Sequence, residues 1–235
     1  MPRSLKTCVV TGATKGLGLE IVLRLSREAH RIYALVRDTE ALAKTLSTIR
    51  DCGPGEIIPI QCDVRDPSSV ASSVAYVASR ETAVDLLVNN AGVAIPSLLS
   101  TMRIEDWVNT INTNLTGAFL CCRLFLDLLR ASQGADIINV SSRSGRNPAP
   151  KLAAYCASKF GLNGLTEVLQ IELMEYGIRV TSIVPGRCAT TFADEPIESW
   201  HIPASAVSDA IVNVIESDRR AFWGTLEIRP VHRSA

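Results

Sequence analysis

Tyr155 and Lys159 stand four residues apart in Ala154-Tyr155-Cys156-Ala157-Ser158-Lys159, inside a strongly helical segment. Residues i and i+4 share a helix face, roughly 5–6 Å apart at Cβ, so phenol and ammonium are expected as neighbours. A tyrosine ionises near pH ~10 and is a poor proton donor or acceptor at neutral pH. An adjacent cation favours the phenolate and lowers that pKa. The pair is therefore suited to acid/base work on a carbonyl or an alcohol. Two polar residues on a solvated helix face would show the same spacing, so the reading depends on what accompanies them.

A second candidate is Thr11-Gly12-Ala13-Thr14-Lys15-Gly16-Leu17-Gly18, which ends a strand pattern and opens a helix. Glycines permit a tight turn and let bare amides approach a pyrophosphate at the positive end of a helix. The spacing is Gly-x-x-x-Gly-x-Gly, not Gly-x-Gly-x-x-Gly, but strand before and helix after is the context such a motif needs. A glycine-rich turn without a ligand is the alternative.

The elements that must position these residues alternate along the chain. Strand patterns fall at residues 7–11, 32–36, 57–62, 85–88, 136–141, 179–184 and 225–228; helical patterns fall at 17–28, 40–48, 68–79, 104–131, 153–176 and 204–217. Strands alternating with helices of this length imply right-handed crossovers and a parallel sheet covered on both faces. The expected fold is α/β, a doubly wound parallel sheet (Rossmann fold) of about seven strands in one domain spanning 1–235. Residues 143–152 and 185–203 are the long irregular stretches, each at the carboxyl end of a strand, the edge where open α/β sheets bind ligands.

Composition narrows the classes. The chain has 235 residues, 47% of them hydrophobic, with 24 basic and 24 acidic side chains. Zero net charge gives no basic field for nucleic acid or a membrane surface. No apolar run approaches the ~20 residues of a spanning helix, and the N-terminus enters a strand pattern without a signal-peptide core. Seven scattered cysteines and three histidines lack paired metal-ligand spacing. The expectation is a cytoplasmic protein with no metal, nucleic-acid or membrane partner.

Gly12-x-x-x-Gly16-x-Gly18, Asp63-Val64, Asn89-Asn90-Ala91-Gly92, Asn114, Ser142, Tyr155-x-x-x-Lys159 and Pro185-Gly186-x-x-x-Thr190 occur in one order and spacing. Together they resemble the short-chain dehydrogenases/reductases over nearly the whole chain. The resemblance implies an oxidoreductase using NADP(H) on a small-molecule carbonyl or alcohol. It implies that Gly12, Thr14, Lys15, Gly16, Leu17 and Gly18 cradle the dinucleotide. Asp63 and Val64 would contact adenine, and Asn90, Ala91 and Gly92 would line the adenosine ribose. Pro185, Gly186, Cys188 and Thr190 would hold the nicotinamide. By the same resemblance, Ser142 polarises the substrate oxygen and Tyr155 donates the proton. Lys159 lowers the tyrosine pKa and grips the ribose, while Asn114 anchors a water in the proton relay. Ser141 and Ser144 are alternatives to Ser142; a capping role before Pro67 is compatible with Asp63.

Coenzyme choice is decided by charge at the end of the second strand, where an acid favours NAD and an arginine accommodates the NADP phosphate. Val36 occupies the place where NAD-preferring relatives carry their acid, and Arg37 and Lys15 match the two basic positions of NADP-preferring ones. Asp38 is expected to cap the following helix.

Departures from the family pattern are Cys188, Ala29 in place of a glycine, the tail Leu226-Glu227-Ile228-Arg229-Pro230, and a short stretch after Thr190. If Ala29 is left-handed it carries strain of order ~1 kcal/mol. Arg143, Arg146 and Lys151 could meet an anionic substrate or form a solvated loop. The family dimerises by packing two long helices, here 104–131 and 153–176, and Phe160, Leu165 and Leu169 exceed one buried stripe; a homodimer or homotetramer is expected. The leading reading is a carbonyl reductase acting on ketones, aldehydes or 3-oxoacyl thioesters. The alternatives are an oxidative alcohol dehydrogenase and a catalytically idle dinucleotide-binding protein.

Overall fold

Val-, Ile- and Leu-rich runs become the strands of one parallel sheet in the computed structural model, which describes residues 5–49, 52–193 and 196–231. The strands are β1 (Leu5–Thr11), β2 (Ala29–Val36), β3 (Glu56–Gln61), β4 (Leu86–Asn89), β5 (Asp136–Val140), β6 (Arg179–Pro185) and β7 (Thr225–Ile228), in the order β3-β2-β1-β4-β5-β6-β7. β1, β4, β5 and β6 are buried almost throughout, as strands covered on both faces are. The order reverses beside β1, and the crevice between β1 and β4 opens at their carboxyl ends, where doubly wound sheets take ligands.

The helices are α1 (Gly16–Leu25), α2 (Thr39–Thr48), α3 (Pro67–Ala78), α4 (Ile104–Ile111), α5 (Gly117–Leu124), α6 (Leu126–Ala131), α7 (Ala153–Glu172) and α8 (Ala204–Glu216). One core joins the sheet to α1, α2 and α8 through Ile21, Leu42 and Ile211. The other joins it to α3, α5 and α6 through Val70, Cys121 and Leu129. Asp38 caps α2 by accepting from the Ala41 amide, 2.9 Å. Asp66, not Asp63, caps α3, accepting from Ser68 N at 3.0 Å.

The structure corrects two sequence expectations. The segment read as one helix over 104–131 is broken: a π turn, Asn112–Thr116, separates α4 from α5, and its i→i+5 bonds leave no composition signal of their own. Ala29 is not left-handed. It opens β2, is 4% exposed and pairs with Leu5, and Lys151 is the one non-glycine described residue with a positive φ. α1 ends without a left-handed residue because Glu28 N donates to Leu25 O (2.9 Å) and Gly55 N takes the Ser26 carbonyl (2.8 Å).

At the opposite, amino edge of the sheet, buried Asp136 accepts from Arg179 Nε and Arg219 Nη1, each at 2.8 Å. The Arg179 guanidinium also donates to the carbonyls of Val214 and Ile215 in the last turn of α8. This fastens α8 to the sheet far from the ligand edge.

Candidate active site

The turn after β1 is shaped by glycines that no other residue replaces without strain. Gly12 has φ 70°, and a Cβ there would lie 2.7 Å from Ala91 Cα. Gly16 has φ 59°, and a Cβ there would lie 3.6 Å from Thr190 Cβ. Asn90 Nδ2 donates to the carbonyls of Thr11 (3.0 Å) and Gly12 (3.1 Å), and the Asn90 and Ala91 amides donate to Thr11 Oγ1. The ends of β1 and β4 are thus stitched together. Lys15, exposed and extended, precedes α1 without a side-chain cap on its first amides. Free helix amides facing a Cβ-free turn fit a pyrophosphate. Thr14 is half-buried beside this turn, Leu17 packs on the core below it, and Gly18 is buried in α1.

Along the same edge, Arg37, Gln61, Cys62, Asp63, Ser69 and Ser72 line a cleft of about 390 Å³. Arg37 is exposed at its rim. Asp63 accepts from Arg65 Nε at 2.9 Å, and that guanidinium holds its carboxyl below the usual range, with Arg37 adding to the effect. Val64 is buried against Gly117, where a Cβ would come within 2.8 Å of it. Gly92 faces the Asn114 carboxamide oxygen, 3.3 Å from where its Cβ would be. Polar groups at the rim and close packing beneath suit a nucleoside.

Ser142 follows β5, and its hydroxyl accepts from Ser144 N at 3.1 Å. Its side chain also comes close enough to the Tyr155 hydroxyl, in the first turn of α7, to favour the phenolate. The neighbouring Ser141 is buried with its Oγ unpartnered, so Ser142 is the serine brought to the tyrosine. Lys159, one turn on, is 4% exposed and donates to Val140 O at 2.7 Å. Its nitrogen lies 5.8 Å from the Tyr155 ring centroid. Asn114 sits in the π turn, which aims its carboxamide at the loop after β4 and at α7. It accepts from Val93 N (2.8 Å) and donates to Val93 O (2.9 Å) and Ser158 Oγ (3.0 Å). Ser158 in turn donates to Tyr155 O at 2.7 Å.

The electrostatics differ from the expectation that Lys159 lowers the tyrosine pKa. Burial pushes the Tyr155 phenol up to about 12, the nearby Ser142 side chain acting in the other direction. The ring keeps some exposure, but its surroundings are dense enough to disfavour a phenolate. Burial also brings the Lys159 ammonium down to about 8. The ammonium turns to a backbone carbonyl, and desolvation outweighs its attraction for a phenolate.

After β6, Gly186 N donates to Ile228 O (2.8 Å), Ala189 N to Ile202 O (2.8 Å) and Ile202 N to Arg187 O (2.9 Å). Cys188 and Ile202 form an isolated parallel bridge at the base of this stretch. The Cys188 thiol is pushed up to about 11 by burial, and its hydrogen bond goes to Gly186 O. Pro185 ends β6. Three residues of this edge were not singled out from sequence: Thr11, Ser158 and Phe192, whose ring lies 6.0 Å from that of Tyr155. Thr11 borders the glycine turn and Ser158 lies between the two spaced residues; nothing local marks Phe192.

Among the described residues, no group of three or more His, Cys, Asp or Glu is placed to hold a metal, and no helix is long and apolar enough to cross a membrane. The short chain dehydrogenase family model matches residues 6–201. A 3β-hydroxysteroid dehydrogenase 1 of Eggerthella lenta is 37% identical over 187 residues, 79% of this chain and 71% of that protein. A 3-oxoacyl-[acyl-carrier-protein] reductase of Synechocystis is 31% identical over 196 residues, 82% of this chain and 79% of that protein. The crystal structure of a metagenomic short-chain oxidoreductase in complex with NADP superposes with a TM-score of 0.85 at 31% identity, covering 98% of this chain and all of that one (100%).

Proposed function

The chain belongs to the short-chain dehydrogenase family, and on that premise we propose that it is an NADPH-dependent reductase of ketones or aldehydes, with alcohol oxidation as the reverse reaction. The observation that carries this reading is the convergence of the Ser142 and Tyr155 side chains at the ligand edge, with Lys159 buried one turn on and 5.8 Å from the Tyr155 ring centroid. When bound, the dinucleotide supplies the hydride. Ser142 and Tyr155 present two hydroxyls to one carbonyl oxygen, and Tyr155 transfers its proton to that oxygen as charge develops there. A phenol held protonated well above neutral pH is present as the proton donor that reduction needs. Lys159 spends one of three hydrogens on Val140 O; we assign the others to ribose hydroxyls. The second lone pair of Asn114 Oδ1 is assigned to a relay water.

Lys15 and Arg37 flank the cradle as exposed cations with no acid at Val36, which supports NADPH over NADH. The whole of 1–235 is read as one such domain, a homodimer in the reducing cytoplasm. The test is consumption of NADPH against a panel of ketones, aldehydes and 3-oxoacyl thioesters by the wild type and Tyr155→Phe. The variant keeps the ring and the coenzyme affinity but loses turnover by about 10²–10⁴-fold; a near wild-type rate would sink the assignment.

A further inference from the structure

Two loops near Tyr155 turn large apolar side chains outward. The loop after β4 is fastened to the stretch before α7: Ser97 N donates to Lys151 O at 2.8 Å, and Ser97 and Leu152 form a parallel bridge. That joins Leu98 and Leu99, 52% and 84% exposed, to a segment ending three residues before Tyr155. Lys151 at this junction holds a left-handed backbone, φ 65°, and a non-glycine residue keeps such a conformation only when its surroundings fix it.

The second loop follows β6. Its base is closed by the Cys188–Ile202 bridge and the amide bonds from Ala189 and Ile202. Thr190 lies against Gly16, so the chain crosses the glycine turn there. Phe192, two residues on, sets its ring 6.0 Å from that of Tyr155 at 52°, yet remains 45% exposed. One edge of that ring meets the candidate proton donor, and much of the rest faces solvent.

Of the basic residues after Ser142, Arg146 turns from this mouth toward β7. Arg146 Nη1 reaches Glu227 Oε2 on β7 at 3.7 Å. Arg229 donates to the same carboxylate at 2.7 Å; it, then Arg146, then Arg143 hold Glu227 below the usual carboxylate range. Lys151 is exposed. Arg146 is therefore engaged with β7, while Arg143, next to Ser142, keeps a buried Nε without a partner.

We propose that Phe192 is a specificity-determining residue of this site, and that it forms an apolar clamp for a ketone carrying an uncharged ring two methylenes from its carbonyl. The inference rests on the reductase reading of the same site. A phenyl ring buried against Phe192 leaves water when the carbonyl meets Ser142 and Tyr155, whereas a short ketone gains little there. A substrate anion pressed against the Phe192 ring would lose hydration with no charge on that ring to replace it.

The test compares 4-phenyl-2-butanone, 2-butanone and the 3-oxobutyrate anion with NADPH, using wild type, Phe192→Ala and Phe192→Leu. The wild type is expected to prefer the phenyl ketone over 2-butanone in kcat/KM by roughly 30-fold or more, mainly through KM, and to use 3-oxobutyrate worst. Phe192→Ala collapses the preference for the phenyl ketone over 2-butanone toward one, and Phe192→Leu restores part of it. An unchanged preference in Phe192→Ala, or a wild type favouring 3-oxobutyrate, overturns the proposal. If no carbonyl is reduced by any variant, the reductase reading fails. Saturation-transfer NMR of 4-phenyl-2-butanone on the NADP-loaded proteins then decides the clamp separately: phenyl signals transferred in the wild type and lost in Phe192→Ala support it, and equal transfer in both rejects it.

Discussion

At the scale of single residues, the paired shifts of Tyr155 and Lys159 have opposite consequences for stability. The Lys159 ammonium releases its proton near pH 8 in the folded protein, against 10.5 ordinarily. Below pH 8 both states hold the proton and its contribution is constant. Between 8 and 10.5 the unfolded chain holds more protons, so this residue makes stability rise with pH. Tyr155, raised from 10.0 to about 12, makes stability fall across that higher window. Urea unfolding of the coenzyme-free wild type and Lys159→Met at pH ~7.5 and ~9.5 should show the difference shifting in favour of the wild type by about 1–2 kcal/mol. A flat difference would mean that the ammonium is not desolvated. A second residue-scale prediction concerns the coenzyme. Each charge-assisted contact contributes about 1.5–3 kcal/mol, so Lys15→Ala with Arg37→Ala should weaken NADPH binding roughly 100-fold or more. NADH binding should change little, as read by coenzyme fluorescence; equal losses would remove both residues from the phosphate site. The proximity of Tyr155 and Lys159 was legible because i and i+4 meet on any helix. Their ionisation was not, because it depends on how densely distant segments bury them and on Val140 offering its carbonyl.

Among the elements, strands were the most legible, since apolar runs of β-branched residues between turns have few other folds available. The π turn at Asn112–Thr116 was not. Apolar positions before and after it still read as one helix, and only the Asn114 bonds to Val93 and Ser158 show why the turn is widened. The exit from α1 was misread for a related reason. A left-handed glycine is one way to satisfy the last helical carbonyls, and here Gly55, far along the chain, supplies an amide to Ser26 instead. No sequence window contains both partners. Because Ala29 is extended and buried, Ala29→Gly removes a packed methyl and adds backbone freedom in the unfolded chain. It is expected to cost about 0.5–1 kcal/mol and to lower Tm by about 1–4 °C. Calorimetry showing a higher Tm would restore the strain account.

On the scale of the whole molecule, the apolar surface is unevenly spread. α4 exposes Ile104, Trp107 and Val108, α5 exposes Phe119, and α7 exposes Phe160, Val168 and Ile171, with Met174 just beyond; Ile104 and Ile171 reach 76% and 75% exposure. A groove of about 440 Å³ lined by Phe160, Gly164 and Glu167 runs along the same side of α7. Single exposed apolar residues are ordinary, but a contiguous helical face marks an interface. A second copy packing α5 and α7 against their equivalents would cover Phe119, Phe160 and Val168 together, and isologous contacts of this kind close as a two-fold dimer. The edge strand β7 is less inviting, since it is short and carries Glu227, paired with Arg229 just beyond it, so association is expected to stop at two copies. Light scattering at micromolar concentration should give twice the chain mass of 25.4 kDa. Val168→Glu with Ile171→Lys places charges on that face near the end of α7 far from Tyr155, and should weaken the dimer at least tenfold, by about 1.4 kcal/mol or more. A wild type found only as a 25.4 kDa species, or a dimer indifferent to both charges, would place the contact elsewhere.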